Sequence, residues 1–418
     1  MKIGSTAKSS FICILIVTLF LRAWQPDSFE LMQKLMFGIE FGNYYIHPCD
    51  LALVVLVLIY FLSQRKISLF PLVIFGSFAL SFAIDYLFFP LENSFITSGD
   101  IFVAYLKILS PLFGAYVLVQ ILDKKKLKML VNFSGLTFLF IGLQHLFFSV
   151  FPRMTWTTES FSFWGFNVYR SISTSGPATS SSYVMVILYA IVCCYYRVVT
   201  ERSLFLKTTN SNLLTFPLVF STFSRGGIFI LVSSWIYNQF FINGKKVMTK
   251  WIVAYVCFFF LIIISIGLWN VRQTQGYNID ADISRIRQIQ NVITVIKDGH
   301  VILFGKGFGS SYFREVHSSF FWDNSKAFPI GATHNLNMLL LMELGLIRLL
   351  FIYLGLFWIF KKGRNNISLA KAFFVLFVVV AFNTETSFLF SQYNFAFFLF
   401  LFLFKRNVFR NQRLNYKV

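Results

Sequence analysis

The feature that most constrains this chain is a succession of apolar segments, each about as long as a bilayer-crossing helix. A transmembrane helix needs roughly 17–25 mainly apolar residues. Of the 418 residues, 57% are hydrophobic and only 13% are charged, whereas soluble proteins carry about 25% charged residues. The chain is therefore expected to be an integral membrane protein rather than a set of soluble domains.

The apolar segments predict an all-α, polytopic membrane protein with about twelve transmembrane helices. They divide the chain into spans one to nine (1–270), a long connecting segment (271–333), and spans ten to twelve with a basic tail (334–418). The predicted spans are approximately 9–24, 49–63, 67–84, 101–122, 129–151, 178–197, 212–223, 227–242, 250–270, 334–360, 368–384 and 386–404.

The distribution of basic residues predicts the orientation. With a cytoplasmic N-terminus, the inner loops and tail hold 23 Lys and Arg and only two acidic residues, Asp123 and Glu201, while the outer segments hold 11 Lys and Arg. Short positively charged loops remain on the cytoplasmic side. Both termini are therefore expected inside and segment 271–333 outside. This inner-face excess explains the net charge of +20 better than nucleic-acid binding does.

The long outer segment is predicted to carry an amphipathic helix. Its isoleucines recur at helical spacing, and Arg285 and Arg287 lie beside the start of this helix. The isoleucines are Ile283, Ile286, Ile289, Ile293 and Ile296. The following GKGFGS favours a flexible loop over a phosphate-binding loop, because no strand–helix unit surrounds it.

Arg225 lies in STFSRGGIF, between two strongly apolar runs and at the outer end of a predicted helical hairpin. One interpretation is an interfacial arginine that extends its side chain to the lipid headgroups. The other is an anion-binding residue, because a planar guanidinium can hold phosphate oxygens through two hydrogen bonds. Gly226 and Gly227 would let the backbone approach another group closely.

Arg170 lies in an outer loop, 152–177, whose Ser, Thr, Gly and Pro content predicts irregular structure ending at a helix start near 178–182. Hydroxyls and free N–H groups at a helix start form a weak anion site. An ordinary polar loop that enters a helix explains the same residues equally well.

His334 and Asn335 stand immediately before predicted span ten. A lone histidine is more often structural, but an imidazole near neutral pH can also take a proton from a sugar hydroxyl. Asn335 is also a favoured residue for capping the helix. Glu343, deeper in the span, is expected to pack or to form hydrogen bonds. The five cysteines show no metal-ligand spacing, so neither a metal nor a cofactor is predicted.

The order of these motifs resembles that of the O-antigen polymerase and O-antigen ligase family of bacterial envelope glycosyltransferases. The resemblance is strongest from about 165 to 356. The matching residues are Arg170; Ser224, Arg225 and Gly226; Arg285 or Arg287; Gly305, Gly307 and Gly309; and His334, Asn335, Glu343 and Gly345. Two features depart from the family pattern: the amphipathic helix lacks an expected aromatic residue, and Arg348 stands where a second glycine often follows Glu-x-Gly.

The resemblance implies a metal-independent polymerase that joins polyprenyl-diphosphate-linked oligosaccharide repeat units into a surface polysaccharide. By this resemblance Arg170, Arg225, Arg285 and Arg287 would bind the diphosphate, and His334 and Arg225 would be catalytic. Ser224, Gly226, Asn335 and Glu343 would support them. The protein would lie in the bacterial inner membrane with its active site on the periplasmic face. Its partners would be the lipid-linked oligosaccharide, membrane lipids, a chain-length regulator and a flippase.

Two alternatives stay open at this point. The first is an O-antigen ligase, which would transfer the finished polymer to lipid A–core. The second is a transporter for the same lipid-linked sugar, which would tend to show two related halves and ionisable groups at the membrane midplane.

Overall fold

The computed structural model describes residues 39–41, 44–46, 54–55, 57–58, 69–88, 98–151, 157–163, 166–171, 178–199, 215–222, 224–237, 293, 299–305, 307, 335–381 and 391–410. In chain order the helices of these ranges are α1 (Leu69–Phe88), α2 (Ser98–Ile121), α3 (Lys124–Val150), α4 (Ala178–Val198), α5 (Thr215–Phe220), α6 (Arg225–Tyr237), α7 (Gly299–Phe304), α8 (Leu336–Lys362), α9 (Ser368–Leu376) and α10 (Ser391–Lys405). A π-helical segment, Phe377–Ala381, continues α9.

By length and composition, three helical segments of the described ranges are long and apolar enough to cross a membrane: Lys124–Val150, Ser181–Val198 within α4, and Leu336–Lys362, the last of which contains a break at Gly345. Shorter apolar helices accompany them. The predicted apolar helical bundle is therefore confirmed in outline. Predicted spans 9–24 and 250–270 lie outside the described residues, so the number of twelve stays a prediction.

Two short antiparallel hairpins accompany the helices of the described ranges. Strands β1 (Ile39–Phe41) and β2 (Tyr44–Ile46) form one of them, and β3 (Thr157–Phe163) and β4 (Phe166–Ser171) form the other. The second hairpin occupies much of the segment expected to be irregular. Its first strand reads TTESFSF, in which serine and phenylalanine alternate with the period of two typical of a strand.

Helix α4 is central to the described bundle. It packs against α3, α6, α9 and α10. In its apolar window 83% of the residues are buried, compared with 44% in α3 and in α8. The latter two helices instead expose large apolar side chains, among them Leu143 and Phe351. Such exposed apolar surface fits lipid contact, because lipid chains are as apolar as the side chains themselves.

Three segments predicted to be cytoplasmic meet at one end of the bundle. Arg406, just after α10, donates hydrogen bonds to the carbonyls of Val119 and Leu122 at the end of α2. A cation suits this place because the carbonyl end of a helix is partially negative. Buried Asn366, between α8 and α9, donates to the carbonyl of Phe404 at 2.6 Å. Its side-chain oxygen accepts from the N–H of Phe409 at 3.1 Å.

Asp123 begins α3 at this same end. Its carboxylate accepts a hydrogen bond from the N–H of Lys126 at 2.8 Å and thereby caps the helix. The hydrogen bond from the Lys126 N–H also lowers the pKa of Asp123 below its usual value. The sequence signal for this helix start is the single acidic residue before a lysine run.

Candidate functional site

The described part of the site is built around the hairpin of α5 and α6. Arg225 is the first residue of α6, and the turn at 221–224 separates it from α5. The Thr222 hydroxyl donates to the carbonyl of Val219 at 2.7 Å and accepts from the N–H of buried Ser224 at 3.3 Å. These local bonds hold the tight turn that the sequence predicts here. They place the Arg225 backbone at the N-terminal end of α6.

Gly227 brings this turn into contact with the start of α4. A Cβ atom at Gly227 would lie 2.6 Å from the Ser182 hydroxyl oxygen and 2.7 Å from its Cβ. Only a glycine fits this close approach. The N-terminal ends of α4 and α6 therefore lie side by side. The first N–H groups of a helix have no partner within it, and they carry partial positive charge.

Arg170 precedes the same helix start along the chain, because β4 ends at Ser171 and α4 begins at Ala178. The strand packs against α3. In the β3–β4 register Arg170 is paired with Glu159. The backbone register thus places an acidic residue opposite Arg170.

Helix α8 is broken at Gly345, whose φ of 72° is left-handed. The Tyr353 hydroxyl, beyond the break, donates a hydrogen bond to the side chain of Asn337, before it. In a straight helix these two Cα atoms would lie about 24 Å apart, which the side chains cannot bridge. Helix α8 is therefore two arms, 336–344 and 346–362, folded back on each other. The single continuous span predicted at 334–360 is wrong in this respect.

Asn335 caps the first arm, since its side chain accepts from the N–H of Met338 at 3.2 Å. The capping role considered from the sequence is confirmed. Because the arms fold back, this capped end lies near Tyr353 on the second arm, eight residues beyond the break. Glu343, at the other end of the first arm, is buried as expected.

The GKGFGS segment has a defined contact where a flexible loop was expected. Gly305 and Gly307 have φ values of 78° and 94°, and the N–H of Gly307 donates to the carbonyl of Glu343 at 3.0 Å. A Cβ at Gly305 would lie 2.2 Å from that same carbonyl oxygen, and a Cβ at Gly345 would lie 2.4 Å from the carbonyl oxygen of Leu303. Main chain thus packs on main chain at the break.

A buried ion pair beside the break was missed by the sequence reasoning. Arg348 contacts Asp85 of α1 at 2.7 Å, and the Asp85 side chain is fully buried. The Tyr105 hydroxyl of α2 also donates to Asp85. An arginine inside a predicted span was a partial signal. It did not show that α1 continues past its predicted end at residue 84 to include the aspartate.

The remaining candidates are less completely described. Arg285, Arg287 and His334 lie outside the described residues, and Arg170 and Arg225 are described by their backbone. Their roles stay predictions. Within the described residues no group of three or more His, Cys, Asp or Glu side chains could hold a metal ion.

Comparisons with known proteins do not assign the chain to a family. No protein-family model matches the chain, and no curated protein is significantly similar to it.

Proposed function

We propose that this protein is a membrane glycosyltransferase that polymerises polyprenyl-diphosphate-linked oligosaccharide repeat units. The observation that supports it most is the contact of Gly227 with Ser182. This contact places an arginine-led helix start beside a serine-rich one, within an apolar bundle. Two helix N-termini side by side are suited to a diphosphate, and in this proposal the guanidinium of Arg225 adds charge-assisted hydrogen bonds to it. An apolar bundle is suited to the polyprenyl tail.

In the proposed reaction Arg225, Arg170 and one of Arg285 or Arg287 hold the donor diphosphate. The bond between the donor sugar and the diphosphate breaks as the acceptor hydroxyl attacks. Guanidinium groups stabilise the charge that develops on the leaving phosphate. His334 takes the proton of the acceptor hydroxyl as general base, a role commonly worth about 10²–10⁴-fold in rate.

We place the protein in the bacterial inner membrane with both termini cytoplasmic and the reaction on the periplasmic face. The inner-end cluster supports this orientation. Asn366 and Arg406 join three segments that the basic-residue distribution assigns to the cytoplasm. The Arg225 turn connects helices at the level of the α4 N-terminus, which this orientation puts at the outer end.

The test is complementation of a deletion strain, followed by electrophoresis of its surface polysaccharide. Losing a charged partner of phosphate costs about 1.5–3 kcal/mol, or roughly 10- to 150-fold. We therefore expect Arg225→Ala to leave single repeat units on the acceptor. Arg225→Lys should also be impaired, because an ammonium cannot reproduce two parallel hydrogen bonds. Arg364→Ala, at an exposed arginine after α8, is the matched control and should support full-length polymer.

Normal polymer from Arg225→Ala at normal protein levels would refute the assignment. The same assay separates the ligase alternative. A strain that lacks a ligase would accumulate lipid-linked polymer with nothing transferred, whereas a strain that lacks a polymerase would still transfer single units.

A transporter of the same lipid-linked sugar is the second candidate, because transporters use broken helices and buried charges. The break at Gly345 and the pair of Asp85 and Arg348 are features of this kind. Against a substrate-binding role, the donors of Arg348 are all engaged by protein groups. Movement of fluorescent lipid-linked sugar across liposomes, without any polymer, would favour transport.

A further inference from the structure

The Arg348 guanidinium is fully engaged at the break in α8. A guanidinium has five N–H donors, and each has an acceptor here. Nε donates to Leu344 O at 2.7 Å, Nη1 to Ser81 Oγ at 2.8 Å and Asp85 Oδ1 at 2.7 Å, and Nη2 to Phe304 O at 2.6 Å and Glu343 O at 3.3 Å. Arg348 thus joins both arms of α8, the end of α7 and helix α1.

Three of these acceptors are main-chain carbonyls at the places where α7 and the first arm of α8 end. The last carbonyls of a helix lack partners within it, and such a group left unpaired among lipid chains costs several kcal/mol. Arg348 supplies donors to these carbonyls, and the N–H of Gly307 is a second donor to the carbonyl of Glu343. Asp85 in turn neutralises the charge that would otherwise be buried alone. Together they make a sharp turn tolerable inside an apolar bundle.

In the proposed orientation, the residues of this network lie at similar distances from the cytoplasmic ends of their helices. At 1.5 Å per residue, Arg348 lies about 21 Å from the inner end of α8, and Asp85 about 24 Å from the inner end of α1. Tyr105 lies about 24 Å from the inner end of α2 by the same measure. The network therefore lies in the outer part of a hydrocarbon core about 30 Å thick. The capped end of the first arm, near Tyr353, points back toward the midplane.

We infer that Arg348 is a positioning residue that, with Asp85, holds the turn of α8 closed and directs the Asn335 end of the first arm into the bundle. The N-terminal end of the first arm, at Asn335, thereby lies within the bundle. Only the last step, from this geometry to sugar transfer, rests on the proposed function.

The geometry is tested with spin labels at Met338→Cys and Leu354→Cys, in the full chain with its native cysteines replaced. On a straight helix the two positions would lie about 24 Å apart. Folded-back arms bring them close, so strong dipolar broadening is expected in the parent and a clear loss of it in Arg348→Met. Ser77→Ala is the matched control, because Ser77 is one turn before Ser81, is exposed and donates its hydroxyl to the Val73 carbonyl of its own helix.

Weak broadening in the parent, or unchanged broadening in Arg348→Met, would overturn the inference. Should Arg348→Met fail to fold, Arg348→Lys serves instead. A lysine keeps the charge but cannot reach five acceptors, so the two labels are expected to separate in part. Unchanged dipolar broadening in Arg348→Lys would again overturn the inference.

The functional step has its own readout with purified protein and synthetic lipid-linked repeat units. Displacing a reacting group by about 1 Å can cost about 100-fold in rate. In Arg348→Lys, kcat is therefore expected to fall about 10- to 100-fold, with little change in KM for the donor. A rise in KM with kcat unchanged would instead remove the positioning role. If the dipolar broadening falls in the Arg348 variants but even the parent protein makes no polymer, the role of Arg348 in the turn is supported and the proposed function is refuted.

Discussion

Replacing Gly227 by alanine tests the central contact of the candidate site. The new Cβ would lie 2.6 Å and 2.7 Å from the Oγ and Cβ atoms of Ser182, closer than the 3.0 Å below which something must shift. Both helix starts are buried at this place, so α6 has to move away from α4. We expect the variant to be destabilised and Arg225, two residues earlier, to be displaced.

The magnitude follows from two opposing terms. Overpacking a closely packed contact costs about 1–3 kcal/mol. Glycine to alanine in a helix favours the folded state by up to about 1 kcal/mol. Gly355→Ala is the matched control, because a Cβ there meets nothing within 4 Å. The helix-propensity gain largely cancels between the two variants, so Gly227→Ala should be about 1–3 kcal/mol less stable than Gly355→Ala.

The assay is thermal unfolding of both variants in one detergent, with surface polymer measured in parallel. One kcal/mol corresponds to about 2–4 °C in a domain of 150–250 residues and to less in a larger one. Ser182→Gly added to Gly227→Ala removes both atoms of the clash. It should recover part of the loss, because a glycine within α4 itself costs up to about 1 kcal/mol. Equal melting temperatures for Gly227→Ala and Gly355→Ala, or no recovery in the double variant, would refute the close packing.

Two further predictions concern the opposite end of the bundle. Asn366→Ala removes two donated hydrogen bonds and one accepted one from a buried site, and should destabilise by about 2–4 kcal/mol, whereas exposed Asn365→Ala should change the melting temperature little. In intact cells, Ser310→Cys should react with membrane-impermeant thiol reagents and Lys417→Cys should not. Labelling of Lys417→Cys from outside would contradict the prediction that the C-terminal tail is cytoplasmic.

Helix ends were predictable where local sequence sets them. Span six was predicted at 178–197 and α4 runs Ala178–Val198, because a Ser/Thr-rich entry and a following arginine mark its two ends. The cap at Asn335 was foreseen for the same reason. These features depend on hydrogen bonds within a few residues, so one stretch of sequence contains the information.

Features set by distant contacts were not predictable. Hydropathy ends a span at a charged residue, yet α1 continues through Asp85 because its charge is met by Arg348, 263 residues away. Likewise a glycine in an apolar run does not reveal a break. The left-handed turn at Gly345 depends on close packing with Gly305, which belongs to another segment of the chain. It also depends on the hydrogen bond from Arg348, three residues further along α8, to the carbonyl of Glu343. The pairing of Gly227 with Ser182 has the same origin.

The packing of α10 has a consequence for the order in which the bundle is assembled. Helix α10 lies against α2 and α4, and Arg406 binds carbonyls of α2 more than 280 residues earlier, since 287 positions separate it from Val119. Ribosomes add about 5–20 residues per second. Helix α2 therefore waits in the bilayer for tens of seconds before its C-terminal carbonyls meet their protein partner. During that interval lipid headgroups, water or an insertion chaperone must occupy the place of α10, which makes biogenesis sensitive to factors that the finished fold no longer contacts.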